Sequence, residues 1–201
     1  MSSTAGPRRR LSRQARHAQL LDVAREVIRD EGTDALTLGH VAERAQVAKP
    51  VVYDHFRDRS GLLSALYREF DARQHAMLDA SLENADDELE EVARIVAATY
   101  IECSRAEGRE LADVIAALTG SPALERLRRD TVDAYIDKCQ KALTPYAHAD
   151  TLGVVNFRAI VAAAEALARA VIAGETPLDD AVSTLTRIIT AVVTDDRAGA
   201  G

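Results

Sequence analysis

Between Leu36 and Phe56 the chain reads LTLGHVAERAQVAKPVVYDHF, a stretch whose apolar residues can be buried together only if two short helices meet at a tight turn. Leu38, Val41, Ala42 and Ala45 recur at helical spacing and give the first helix, expected from Thr37 to Ala45, a single apolar face. Thr37 stands where a hydroxyl can cap free backbone N–H groups. Gln46, Val47 and Ala48 make the turn. The second helix starts about Lys49, with Pro50 in its first turn where a missing N–H costs little, and Val52 and Phe56, four apart, point inward. Lys49, Val51, Tyr53, Asp54 and His55 are left facing outward.

That outward set suits a nucleic-acid duplex better than a small substrate: a cation and small apolar groups at a helix N-terminus, then a phenol and an imidazole able to reach phosphate oxygens. This is the chemistry of a helix-turn-helix whose second helix enters the major groove. An ordinary helical hairpin buried in a bundle is the alternative reading of the same pattern.

At these residues the sequence resembles the TetR family of bacterial transcriptional regulators. The family's signature is a periodic first helix, a Thr-led second helix, a V-x-K-x-x-x-Y-x-H-F recognition helix, a basic residue and then a long helix. Its counterparts here are Leu20 to Ile28, Thr37 to Ala45, Val47 to Phe56, Arg57 or Arg59, and Leu62 onward, so that roughly residues 17 to 67 carry the resemblance. Gln46 departs from it, since the family often has Gly in the turn; a left-handed backbone there strains a residue with a Cβ. Gly39 departs too, at a position where some members place a base-reading side chain.

The resemblance implies an all-α chain: an N-terminal three-helix helix-turn-helix domain followed by a C-terminal helical effector-binding and dimerisation domain. The expected divisions are a flexible basic arm over 1–16, the DNA-binding domain over 17–59, the ligand-binding and dimerisation domain over 60–195, and a tail over 196–201. The family's motif places Lys49, Pro50, Val51 and Tyr53 near bases and Thr37, His40, Tyr53, His55 and Arg59 near phosphates. The partners it implies are a palindromic double-stranded operator, a second copy of the chain paired through the last two helices, and a small-molecule effector. Repression is the family's usual mode.

Net charge at first argues against nucleic acid, at −7 for 201 residues. The charge is uneven, however: residues 1–59 hold 11 Lys/Arg against 8 Asp/Glu, and the remainder 14 against 24. Acidic bulk beyond the Debye length of about 8 Å is largely screened from a DNA contact, so the basic helix-turn-helix side decides. Arg8, Arg9, Arg10, Arg13 and Arg16 precede it without an acid, and read either as an arm reaching phosphates and the minor groove or as a solvated tail.

Enzymes find little support. The chain has no GxSxG, Walker loop, GxGxxG or HExxH, and His17, His40, His55, His75 and His148 are scattered without metal-ligand spacing, so neither a metal nor another cofactor is expected. Cys103 and Cys139 lack zinc-site spacing and read as buried thiols of a reducing cytoplasm. No signal peptide is evident, and the most apolar region, Ala159 to Ala173, is broken by Glu165 and Arg169, so no membrane partner and a cytoplasmic location are expected.

Downstream, apolar stripes predict a long helix over about 61–82, a helix from about Asp86 to Arg105 ended by Gly108, and a short helix over 110–118. After the turn at Gly120, Ser121 and Pro122 comes a helix to about Leu143, stopped by Pro145. Thr151 to Ala173 is apolar on nearly all sides and rich in small residues, so more chain must cover it, and Leu178 to Val193 keeps a regular apolar register. For the effector pocket the candidates are Met77, Tyr100, Cys103, Tyr135, Phe157 and Glu165, each with a plain core role as the alternative. With 4% aromatic residues and no Trp, mostly aliphatic walls and an apolar or amphipathic ligand are expected. A helical small-molecule sensor without sequence-specific DNA binding is the rival reading.

Overall fold

The computed structural model describes residues 11–118, 121–147 and 153–194, and these are helical with no strand among them. The α-helices, in chain order, are α1 (Arg13–Glu31), α2 (Leu38–Arg44), α3 (Lys49–Phe56), α4 (Arg59–Leu82), α5 (Leu89–Leu118), α6 (Pro122–Leu143), α7 (Val154–Ile172) and α8 (Leu178–Thr194). None of the described helices is long and apolar enough to cross a membrane. The first ten residues of the expected 1–16 arm, the tail, Gly120 and the start of the helix at Thr151 lie outside the described residues.

Local chemistry sets the boundaries. The Ser12 hydroxyl accepts the Ala15 N–H at 3.1 Å, so α1 starts at Arg13, a turn before the apolar stripe does. Arg13 and Arg16, expected in a flexible arm, are therefore helical. Thr37 caps α2 by accepting the His40 N–H at 3.1 Å. Asp58 caps α4, its Oδ1 accepting the Gly61 N–H at 2.8 Å, which moves that helix's start to Arg59. The trace of α5 breaks at Gly108, whose φ of 60° and ψ of −144° no helix contains, where the sequence predicts the end of one segment and the start of another.

The described chain separates into two compact units, the first ending at Leu66 and the second starting at Tyr67. The core of the first joins Leu20, Ala24 and Val27 of α1 to Leu36, Val41, Val52 and Leu62, all fully buried. Each such aliphatic side chain contributes about 1.5–3 kcal/mol by leaving water. In the second unit α5 packs on α7 and α8, and α6 packs on α5 and α7. Its core gathers Leu78, Ile101, Leu143, Phe157, Leu185 and Ile189. Ala181, Leu185, Ile189 and Val193, four apart, form the buried stripe of α8. By contrast α7 leaves Ala159, Ala162 and Ala166 exposed, and Val155 is 79% exposed.

Candidate nucleic-acid interface and internal cavity

The turn between α2 and α3 is closed by two crossed hydrogen bonds, Val47 N–H to Ala42 O at 3.0 Å and Gln46 N–H to Glu43 O at 3.1 Å, with Gln46 at φ 54°. This is the Schellman arrangement in which glycine ordinarily takes the left-handed position. A glutamine holds it here, so the turn keeps its geometry at some backbone cost.

Burial of Val52 and Phe56 then fixes which side of α3 faces water. Lys49 and Pro50 open the helix in solvent, Val51 is half-buried, and Tyr53 is 51% exposed. Lys49 Nζ stands 3.8 Å from Glu43 Oε1 and the same distance from where a Gly39 Cβ would be, so the lysine stem passes over that glycine. His40 Nε2 pairs with Glu31 Oε1 at 2.9 Å. Arg44 donates to Asp30 at 3.0 Å and Glu31 at 3.2 Å, tying α2 to the end of α1.

Arg59 commits two donors inside this unit, to Leu36 O at 3.0 Å and Thr33 O at 2.7 Å. Both carbonyls belong to the short connection before α2. Arg59→Ala is expected to cost about 1–2 kcal/mol through the loss of these charge-assisted bonds, read in the urea unfolding midpoint. A midpoint equal to wild type would show that water replaces the guanidinium at no cost.

His55 packs 5.5 Å from His17, ring centre to ring centre, and His17 lies 4.9 Å from Phe56. Burial above all, then the neighbouring His17 and Arg13 charges, hold the His55 imidazole below its usual 6.5. With the folded value depressed, protonation favours the unfolded chain. The stability His55 carries is whole above pH 6.5 and is lost as pH falls through that value towards the lower folded one. Replacement by Asn should flatten thermal stability between about pH 7 and pH 5.5 relative to wild type. An unchanged slope in the variant would assign the pH dependence elsewhere.

The second unit contains a cavity of about 240 Å³. Tyr100, Tyr135 and Glu165 line it; Phe157 lines a smaller apolar hollow of about 20 Å³ that shares Tyr100 and Tyr135. Met77 is 42% exposed and Cys103 is buried, and both lie off these walls. Tyr67, Phe70, Gln74 and Arg128 line the cavity although sequence reasoning passed them over. The available signal was a polar Gln74 on the apolar stripe of Tyr67, Phe70 and Leu78 in α4.

Aliphatic walls prove only part of the lining, because Tyr67, Phe70, Tyr100 and Tyr135 all face the cavity, half of the chain's three Phe and five Tyr. Gln74 and Tyr135 are 4% and 5% exposed, and the Gln74 Nε2 and the Tyr135 hydroxyl lack a hydrogen-bond partner, the latter beside the weakly bonding Cys139 thiol. Each orphaned group costs about 1–3 kcal/mol. The buried charges on the wall are matched, Arg128 sitting 3.7 Å from Glu165 and 3.5 Å from Glu125 and Asp71 3.2 Å from His75, while Arg169 is exposed. Burial pushes the Tyr67 phenol up to about 12 and raises Tyr100 and Tyr135 as well. It also raises the Asp71 carboxyl, against the opposing pull of His75. Any further charge is costly in this environment.

Residues 20–66 match the model of a family described as bacterial regulatory proteins, tetR family. Among curated proteins, the HTH-type transcriptional activator FasR of Mycolicibacterium smegmatis is 45% identical over 63 residues, which is 31% of this chain and 29% of that protein. The chain thus spans under a third of that relative's length in the match. Among solved structures, a TetR-like transcriptional regulator from Rhodococcus sp. RHA1 superposes with a TM-score of 0.72 at 22% identity, covering 90% of this chain and 97% of that one. A SmeT–triclosan complex superposes with a TM-score of 0.70 at 17% identity, covering 92% and 94%. At these identities the structures establish a common fold.

Proposed function

We propose, from the match of residues 20–66 to the tetR family model, that the chain is a ligand-responsive transcriptional regulator, a repressor that occupies a palindromic operator as a homodimer until a small, largely apolar molecule releases it. The observation that carries this reading is the outer face of α3, where Lys49, Pro50 and Tyr53 are exposed and Val51 half-exposed on a helix whose opposite side buries Val52 and Phe56. Val51 is placed to pack on a thymine methyl and Lys49 to reach a base edge or phosphate. Thr37, His40, Tyr53, His55 and the remaining donors of Arg59 take the phosphates.

One such helix reads only a few base pairs. Two, related by a two-fold axis and about 34–36 Å apart, read a palindrome, and half-site affinities combine. The uncovered alanine face of α7 and the adjoining α8 suit self-association by close helix packing. The cavity supplies the effector site, and SmeT, which shares the fold, is a protein that holds triclosan. Release requires the effector to favour the dimer state that fits DNA poorly, and reversing occupancy from 1:99 to 99:1 takes about 5.5 kcal/mol of differential affinity.

Selection by the purified chain from a random-sequence duplex library tests the reading. Enriched inverted repeats with half-site centres about one helical turn or its multiple apart are expected. A library that returns without sequence preference would sink it.

A further inference from the structure

The cavity of the second unit, taken as the effector site above, has walls specific enough to define what it accepts, and we infer that its ligand is a neutral, flat aromatic molecule carrying one hydrogen-bond acceptor oxygen. Three features of the site agree on this. Four aromatic rings face the cavity in a chain with eight, and they stand in tilted pairs, Tyr67 with Phe70 at 6.4 Å and Tyr100 with Tyr135 at 5.9 Å, ring centre to ring centre. Such pairs present faces and edges between which a further ring packs at normal aromatic separations. A ligand made only of flexible alkyl chain would forgo that match.

The second feature is a set of underused donors. Gln74 is buried to 4% exposure with an amide N–H unpartnered, Arg128 on the same cavity leaves its Nε–H unpartnered, and the Tyr135 hydroxyl has only the weakly bonding Cys139 thiol beside it. All three can donate, so the complement is an acceptor oxygen such as a ketone, ester or ether. The third is charge. Glu165 and Glu125 already face Arg128, and His75 already faces Asp71, so a ligand of either sign would have to break an existing pair or add net charge to a wall of raised phenol and carboxyl groups. Arg169 also lines the cavity but is exposed to solvent.

The test uses probes on one naphthalene scaffold, titrated calorimetrically into the full chain: 2-acetylnaphthalene as the neutral acceptor, 2-ethylnaphthalene without an acceptor, 2-naphthoate as anion and 2-naphthylmethylammonium as cation. The ketone should bind about 3- to 10-fold tighter than the hydrocarbon, one net hydrogen bond's worth, and at least about 10-fold tighter than either ion. Gln74→Leu and Tyr135→Phe should each narrow the gap between ketone and hydrocarbon while leaving the hydrocarbon's affinity unchanged. Equal or tighter binding of an ion, a ketone advantage untouched by both variants, or no binding of any probe would each overturn the inference. Operator binding by the same ligand-free samples separates the two levels. Intact DNA binding with the wrong probe preference fails this inference alone, whereas the right preference without DNA binding leaves the ligand class standing and fails the regulator.

Discussion

Gly61→Ala lowers the stability of the N-terminal unit by about 3 kcal/mol. On an exposed first turn of a helix the same change would ordinarily gain about 1 kcal/mol, since alanine is the better helix former. The opposite sign is expected because of how the chain leaves α3. Arg57 sits at φ 64°, its N–H bonded to Tyr53 O at 2.9 Å, and the Asp58 N–H turns back to Phe56 O at 2.7 Å. That reversal lays the Phe56 carbonyl against Gly61, so a Cβ there would overlap the carbonyl oxygen, a backbone atom that no rotamer change can move. Relief requires the last turn of α3 to shift from the first turn of α4, pulling Phe56 from its pocket. Hydrogen exchange of the α1 amides from Leu20 to Ile28 reads this directly, with rates rising about 100-fold for 3 kcal/mol. Slower exchange than wild type would mean that the turn relaxes freely and that the close approach is not a constraint.

Tyr53→Ala, in contrast, should leave stability within about 0.5 kcal/mol and reduce specific DNA affinity by about 10- to 100-fold. Half of this side chain is in water, so its removal empties no core. Its loss is felt only when a duplex covers the outer face of α3. Lys49→Ala should act differently, weakening binding to all sequences and lowering the slope of log K against log salt by about 1, the signature of one phosphate contact. Fluorescence anisotropy with operator and scrambled duplexes distinguishes the two. Affinity within twofold of wild type in the Tyr53 variant would take the recognition surface off this face of α3.

What was legible in the chain follows the range of the forces involved. Helices α2 and α3 could be placed to within a residue because Thr37, Pro50 and the four-residue spacing of Val52 and Phe56 act locally. The strained turn was legible as well, since a Schellman closure needs a left-handed residue and only Gln46 stood in that place. The start of α1 was misplaced because the Ser12 cap outweighs the missing apolar pattern of Arg13 to Arg16. Arg57 gave no warning of its positive φ, which accompanies the chain reversal between α3 and α4. The cavity was the least legible element. Tyr67, Gln74, Tyr100 and Tyr135 come from α4, α5 and α6, and only tertiary packing brings them to one wall, so composition alone pointed to aliphatic lining.

The central claim is that the outer face of α3 reads a DNA sequence. Equilibrium binding of the purified chain to DNA from immediately upstream of its own coding region, beside a scrambled duplex and at about 50 and 200 mM salt, tests it most directly. The account predicts tight binding to the upstream DNA that persists at the higher salt, weak binding to the scrambled duplex, and loss of the difference in Tyr53→Ala. Equal, weak and steeply salt-dependent binding to both duplexes would leave only phosphate attraction and would contradict it.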